Sequence, residues 1–583
     1  MSLSHPLIGG APGLRWLAAR VWGLEHAFER ARAKGRAEDD TRIRIFFVLA
    51  LFAAGFIALG IGATRAALFS NLGGVSAYAF GDEGARADIV DRNGALLAAD
   101  LLHYGLYVDP REIWDVPETR KALRRALPGV DPRRLEKALH GDRRVFLFGG
   151  LTPVEKDKIH DLGLPGLSFE PEQRRVYPLG QTAAHLIGFS DAGGAGLAGA
   201  EFAFDDAIKA GAAKHQPQAL SIDLRVQGAL EDEVVKAAQS FQAKGAVGIV
   251  TNVQTGEILG LVSYPSFDPN KSGRATPDQL LNRAGSQVFE MGSIFKVFTL
   301  AMGLDSGTAN LNSTFDARQP VRIGNQVIHD YHSVNRVMSL SDIFVHSSNI
   351  GTTKLALQAG APNLTRYFKA FGLFEAAPIE LQETARPILP RQWNENAVAS
   401  ASFGHAISVT PLAVAAGMGS VLNGGRYVPL TTRPIKAGAR PQGTRVISEN
   451  TSRTMLQLMR LNVVHGTGGK ADAAGLRVGG KTGSAEKVID GHYARTTLVS
   501  SFAAVFPTDG PMNADRYFVL ILMDEPKGNA ESFGFATGGW TAAPAAGRVI
   551  DRIAPFLGVP RHLDDPTDKN GDISPTLLNG DEH

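Results

Sequence analysis

The stretch Gly292-Ser293-Ile294-Phe295-Lys296-Val297-Phe298-Thr299-Leu300-Ala301-Met302-Gly303-Leu304 decides how the rest of this chain is read. Phe295, Val297, Phe298, Leu300, Ala301 and Leu304 predict an apolar helix that stops before Gly307, with Ser293 at its start. Residues three apart share a helix face, so Lys296 lies one turn below Ser293, within reach of its hydroxyl. A helix N-terminus also gathers free N–H groups and positive potential, which favour an oxyanion formed there. A serine hydroxyl needs a base to become a nucleophile. A lysine can be that base when burial and a second cation strip its proton; Lys481 is the candidate for the second cation. The plain alternative makes Ser293 a helix cap and Lys296 a surface residue.

Two further motifs follow in order, Ser347-Ser348-Asn349 at a break between helical patterns and Lys481-Thr482-Gly483 on a strand pattern. Each is weak alone, and the chain carries decoys. Ser484-Ala485-Glu486-Lys487 repeats the serine–lysine spacing, but in a strand, where positions three apart face opposite ways. Ser448-Glu449-Asn450 opens a helix and reads as an N-cap. Ser333-Val334-Asn335 fits the Ser-x-Asn pattern too, and Lys271-Ser272-Gly273 lies in a proline-flanked loop before the serine. One set alone is consistent in order and placement.

Around these motifs, residues 221–560 read as one domain. A helical pattern at 226–241 leads into strands at 246–250 and 258–262, turned by Gln254-Thr255-Gly256. Helices dominate from 278 to 423, strands return at 477–487, 498–506 and 517–523, and a helix closes at 543–557. Strands first and last with helices between predict an α+β fold whose antiparallel sheet joins its N- and C-terminal strands, helices on its faces. Upstream, residues 85–220 form a separate module. It opens on a hairpin at Asn93-Gly94, read as a type I′ turn; helical periodicity runs from 117 to 140, and Gly149-Gly150 reads as a break. A cluster around Arg175, Tyr177-Pro178, Gly180 and His185 reads as turns.

Residues 45–64 hold one polar side chain, the final Thr64, and about 20 helical residues rise about 30 Å, the thickness of a bilayer core. Arg15, Arg20, Arg30, Arg32, Lys34, Arg36, Arg42 and Arg44 precede it, whereas Arg65 stands alone until Arg86. That asymmetry predicts a cytoplasmic segment 1–44, a single transmembrane helix, a tether at 65–84 and everything after it outside the cytoplasm. The tail 561–583, rich in acids and turn formers, reads as disordered. With 44% hydrophobic and 20% charged residues the chain is globular, and its net charge of +2 gives no footing for nucleic acid. Absent cysteines exclude disulfides and thiolate chemistry. The histidines lack the spacing of a helical zinc site, so no metal and no other cofactor is expected.

The ordered motif set resembles that of the penicilloyl serine transferases, the superfamily of penicillin-binding proteins and serine β-lactamases. Arg86, Asp91-Arg92-Asn93-Gly94, the Arg175 cluster, Asn282-Arg283-Ala284, Gly404 and Ser408-Val409-Thr410-Pro411 are similar to class B penicillin-binding proteins, monofunctional transpeptidases of peptidoglycan. Gly538-Gly539-Trp540-Thr541-Ala542-Ala543-Pro544 looks like the division-specific, FtsI-type branch. The resemblance implies an elongated α/β pedestal or dimerisation-type module at 85–220. It also implies that Ser293 attacks the bond between the terminal D-alanines of a stem peptide and that Lys296 takes the serine proton. Ser347 and Lys481 would relay a proton to the leaving amine, and Asn349 would hold the acyl amide and Lys296. The N–H groups of Ser293 and Ser484 would form an oxyanion hole, and Thr482, Gly483 and Ser484 would receive the substrate and its carboxylate. Implied partners are stem peptides, lipid-linked glycan strands, β-lactams, an FtsW-type glycosyltransferase and other division proteins. Met291 departs from the proline most relatives carry there. A β-lactamase would need a Glu-x-x-Leu-Asn water activator after Asn349, which the chain lacks. Elongation duty and a non-catalytic β-lactam-binding scaffold are the remaining alternatives.

Overall fold

A computed structural model of the chain describes residues 85–562, except 490 and 491, and a few positions between 26 and 59. Positions 51–57 are helical, but most of the expected span at 45–64, the tether and nearly all of the acidic tail lie outside the described residues. Among the described residues no helix is long and apolar enough to cross a membrane.

The module 85–220 is built on one long strand. Strand β1 (Ile89–Val90) turns into β2 (Leu96–Val108), which also pairs with β3 (Val145–Leu151) and β4 (Leu167–Val176), while β5 (Gln218–Ala219) runs parallel to β1. Helices α1 (Val116–Ala126), α2 (Pro132–Leu139) and α3 (Pro153–His160) each begin at a side-chain cap, Asp115, Asp131 and Thr152. They bury Leu123, Leu135, Leu139 and Ile159 against Leu106, Val108 and Leu147 of the sheet.

Two expectations are corrected here. The β1–β2 turn is not type I′: Gly94 alone has positive φ (86°), because Asp91 Oδ1 accepts from the N–H groups of Asn93 and Ala95 and tightens a different turn. Gly149-Gly150 is not a break but part of β3. A Cβ at Gly150 would occupy the Arg174 guanidinium, and its φ of 76° irregularises the pairing instead of ending the strand.

The base of this module is held together by one buried ionic cluster, all of whose members lie within residues 85–220. Arg86 reaches Glu201 and Asp205, each at 2.5 Å, and Arg175 reaches Glu201 at 2.7 Å and Asp100, its neighbour across β2–β4, at 3.1 Å. Tyr177 also donates to Glu201 at 3.2 Å, so the Arg175 cluster is a structural joint as well as a set of turns. Ile89, Leu97, Leu186 and Phe204 share one core with Val247 and Ile249 of the following sheet.

That sheet is fully antiparallel. Helix α4 (Leu224–Ser240) precedes β6 (Gly245–Asn252) and β7 (Ile258–Tyr264), and the chain returns to the sheet only at residue 479, with β8 (Gly479–Ile489), β9 (His492–Phe506) and β10 (Tyr517–Asp524). The order is β8-β9-β10-β6-β7, so β10 pairs with β6 (Leu520 opposite Ile249) and the domain's two ends meet as expected. Both faces are covered, and side chains alternate between them. Phe518, Leu520 and Leu522 join the core of the central helices. Val519, Ile521 and Met523 join α4 and the closing helix Ala542–Ile553. Between β7 and β8 lie the buried helices, including α5 (Phe295–Asp305), α6 (Leu340–Val345), α7 (Asn349–Ala370) and α8 (Glu449–His465). The same stretch also holds four short strands between Thr314 and Ser339, which helical periodicity did not reveal.

Candidate active site

Ser293 stands in a single 3-10 turn, Gly292–Ile294, that feeds directly into α5. Gly292 has φ 55° and gives its N–H to Gly404 O at 3.2 Å; a Cβ on Gly292 would lie 2.6 Å from Ser484 O. Gly483 closes the same seam from β8, since a Cβ there would lie 2.5 Å from Met291 O. Backbone approach without side chains brings the serine turn against the strand of the Lys-Thr-Gly motif. Gly483 thus acts through what it lacks. Met291 is buried with φ −89°, more negative than the about −65° that a proline ring imposes.

Lys296 is fully buried on α5. Its Nζ lies 3.0 Å from Ser293 Oγ, 2.5 Å from Ser347 O, 3.0 Å from Ser347 Oγ and 2.8 Å from Asn349 Oδ1. Ser347 holds φ 55°, an unusual conformation for a serine, which turns its carbonyl and hydroxyl together onto the two lysines. Lys481, also fully buried, donates to Ser347 Oγ at 3.0 Å and lies 5.9 Å from the Phe344 ring centroid.

Burial, then repulsion from Lys481, pushes the Lys296 ammonium well below the ordinary lysine value, with Asp330 opposing. Burial brings Lys481 down to about 7. A neutral Lys296 has two N–H donors and one lone pair. The Ser347 carbonyl and the Asn349 amide oxygen can only accept, so they take the two donors. The lone pair is left for the Ser293 hydroxyl, the arrangement a general base requires.

The third group lies along β8. Thr482 Oγ1 is 2.7 Å from Thr467 Oγ1, and Ser484 Oγ accepts from Gly538 N at 3.1 Å. The residues expected to act together, Ser293, Lys296, Ser347, Asn349, Lys481, Thr482, Gly483 and Ser484, thus occupy one cleft between α5, the α6–α7 break and β8. Of the decoys, Ser448 caps α8, accepting from Thr451 N at 3.1 Å. Several participants carried no sequence signal. Asp330, between the third and fourth short strands of a region read as helical, accepts from Ser348 Oγ (2.7 Å) and Ile350 N (2.9 Å) and so shapes the turn holding Ser347. Thr467 and the Gly538 N–H are equally silent in sequence. On the other flank of the serine turn, Glu290, His405 and Tyr493 meet.

Comparison with known proteins shows the family to which the chain belongs. Residues 246–549 match the family described as penicillin binding protein transpeptidase domain, and residues 82–192 match the penicillin-binding protein dimerisation domain. The chain is 60% identical over 569 residues to the probable peptidoglycan D,D-transpeptidase FtsI of Caulobacter vibrioides, covering 96% of this chain and 97% of that one. It is 28% identical to peptidoglycan D,D-transpeptidase FtsI of Escherichia coli K12, over 83% and 86% of the two chains. The crystal structure of penicillin binding protein 3 from Mycobacterium tuberculosis, complexed with aztreonam, superposes with a TM-score of 0.64 at 23% identity. It covers 82% of this chain and 98% of that one, a likeness of fold.

Proposed function

Because this chain belongs to the class B penicillin-binding protein family, with its transpeptidase and dimerisation domains, we infer a residue-by-residue mechanism for peptidoglycan cross-linking. The protein is an FtsI-type peptidoglycan D,D-transpeptidase. Lys296 takes the proton of Ser293, whose Oγ attacks the carbonyl between the terminal D-alanines of a stem peptide. The N–H groups of Ser293 and Ser484 receive the oxyanion. Ser347, bridging Lys296 and Lys481, passes the proton to the departing D-alanine. Thr482 and Ser484 hold the terminal carboxylate, and Asn349 holds the acyl amide. An amine from a second stem peptide then takes the acyl group. β-Lactams, which mimic the donor, acylate Ser293 and leave slowly.

The observation that carries this reading is the Lys296 environment: a fully buried amine 3.0 Å from Ser293 Oγ, its two protons directed at carbonyl oxygens. The lysine and serine that a non-catalytic scaffold would dispense with are both present. We further propose that residues 45–64 anchor the protein in the cytoplasmic membrane, with 1–44 inside and 65–583 outside. On this reading 85–220 is a pedestal docking an FtsW-type glycan polymerase and other division proteins at the septum. The arginine-rich flank before residue 45 supports that topology.

Mass spectrometry after brief penicillin exposure tests the core of the reading. Stoichiometric adduct on the Ser293 peptide, absent in Ser293→Ala, is the expected result. No adduct on the folded wild type would return the chain to the scaffold reading.

A further inference from the structure

Transfer to an amine has a requirement that acylation does not. The acceptor arrives as an ammonium ion and must lose a proton before its lone pair can attack. On the Ser347 side of the nucleophile stand the fully buried amines Lys296 and Lys481, which offer an arriving ammonium ion no anionic partner in a dry site. Asp330 on that side is already engaged by Ser348 and Ile350.

The opposite border of the serine turn is built differently. Glu290 lies three residues before Ser293, and Gly404, packed on the Gly292 backbone, sets His405 and Ala406 beside it. Glu290 Oε1 accepts from Ala406 N at 2.9 Å and from the Tyr493 hydroxyl at 3.2 Å. Oε2 is buried 2.9 Å from His405 Nδ1, an ion-pair distance without an in-line hydrogen bond, so this oxygen lacks a satisfied donor. The His405 and Tyr493 rings pack edge to face with centroids 5.5 Å apart, and Tyr493, near the tip of the β8–β9 hairpin, is 47% exposed. Burial, then Glu290, raises the Tyr493 phenol above its ordinary value, so it remains a donor; Glu486 is the other acid acting on it. A carboxylate with an open oxygen, an imidazole against it and a solvent-facing phenol thus border the nucleophile on the flank without lysines.

We propose that Glu290, His405 and Tyr493 form the subsite for the acceptor amine, Glu290 capturing the primary ammonium group and His405 taking its proton; this rests on the transpeptidase reading above. With Nδ1 turned to Glu290, Nε2 accepts the ammonium proton and releases it to solvent. The freed amine attacks the acyl carbon. The C–N bond forms, and Lys296, left neutral because the serine proton departed with D-alanine, takes the second proton from the nitrogen. Lys296 delivers that proton to Oγ as the tetrahedral intermediate collapses and the ester bond to Ser293 breaks, which leaves the amide, the free serine and a neutral lysine for the next cycle.

The full-length protein is tested with an acyl-D-alanyl thioester as donor and D-alanine as acceptor probe, measuring aminolysis against hydrolysis of the acyl-enzyme. Glu290→Gln is expected to raise the half-saturating D-alanine concentration at least tenfold. His405→Gln should lower the aminolysis-to-hydrolysis ratio at least tenfold, and the surface variant Tyr493→Phe two- to fivefold. In all three, penicillin acylation should change by less than threefold, a split that loss of folding or of the serine turn would not give. An unaltered ratio in Glu290→Gln and Tyr493→Phe overturns the subsite, as does an equal fall of acylation and transfer. A wild type that forms no acyl-enzyme overturns the transpeptidase reading itself, and the subsite with it.

Discussion

Two clusters of buried charge lie in this molecule and are built on opposite plans. At the base of the pedestal module, Arg86 and Arg175 face Glu201, Asp100 and Asp205. Although burial works against it, Glu201 and Asp205 raise the Arg86 guanidinium above its ordinary value. In the catalytic cleft, Lys296 and Lys481 face hydroxyls and carbonyls, and burial lowers both ammonium groups. Guanidinium cannot give up its proton under these conditions, and ammonium can. Paired acids make the first cluster a rivet. Their absence suits the second to the base role proposed for Lys296, because an unpaired buried cation relieves its cost by deprotonating.

The comparison can be broken most severely by exchanging cation types. Lys296→Arg should lower penicillin acylation by about 10³-fold or more, the scale of a lost general base, because its side chain keeps its proton. Stopped-flow acylation near wild-type rates in that variant would end the base assignment. Next in size, Glu201→Ala should destabilise the chain by about 3–5 kcal/mol, leaving two buried arginines uncompensated. Denaturant unfolding measures this, and acylation per folded molecule should stay within twofold, since no contact joins Glu201 to the cleft.

A finer test uses pH. Lys481 is charged below about 7 and neutral above it. If its charged form serves the Ser347 relay and the substrate carboxylate, acylation of the free enzyme should decline as pH rises through that region. Lys481→Arg, permanently charged, should retain part of the activity and lose that alkaline limb. An unchanged limb would assign it to another group. The smallest effect concerns Ser347, whose left-handed φ costs about 1–2 kcal/mol for a residue with a Cβ. Ser347→Gly should therefore be more stable than Ser347→Ala by about 1 kcal/mol in thermal unfolding, while both lose acylation rate.

What the sequence disclosed follows the range of the interactions. Ser293 and Lys296 were legible because helical spacing is local, and β6 and β10 because buried strands carry their own pattern. Glycine was the least legible residue. Gly150 and Gly292 look alike in sequence, but the first makes room for Arg174 inside a strand and the second lets a turn touch Ser484. Asp91 overruled the Asn93-Gly94 dipeptide through a side-chain bond that no dipeptide rule contains. Asp330, Thr467 and the Glu290–His405–Tyr493 group owe their placement to tertiary packing alone.

The pairing of β10 with β6 also sets a schedule. Ribosomes deliver Ser293 and Ser347 early, but Asn252 waits for Tyr517, and Lys481 arrives on the strand sheet that this late partner completes. Closing so long a chain segment is slow and carries a large entropic cost, so the first strands stand with an open edge until the last are made. A nascent or truncated chain therefore holds Ser293 and Lys296 without Lys481 beside them. On the mechanism proposed above, reactivity is therefore switched on by completion of the chain's last strands.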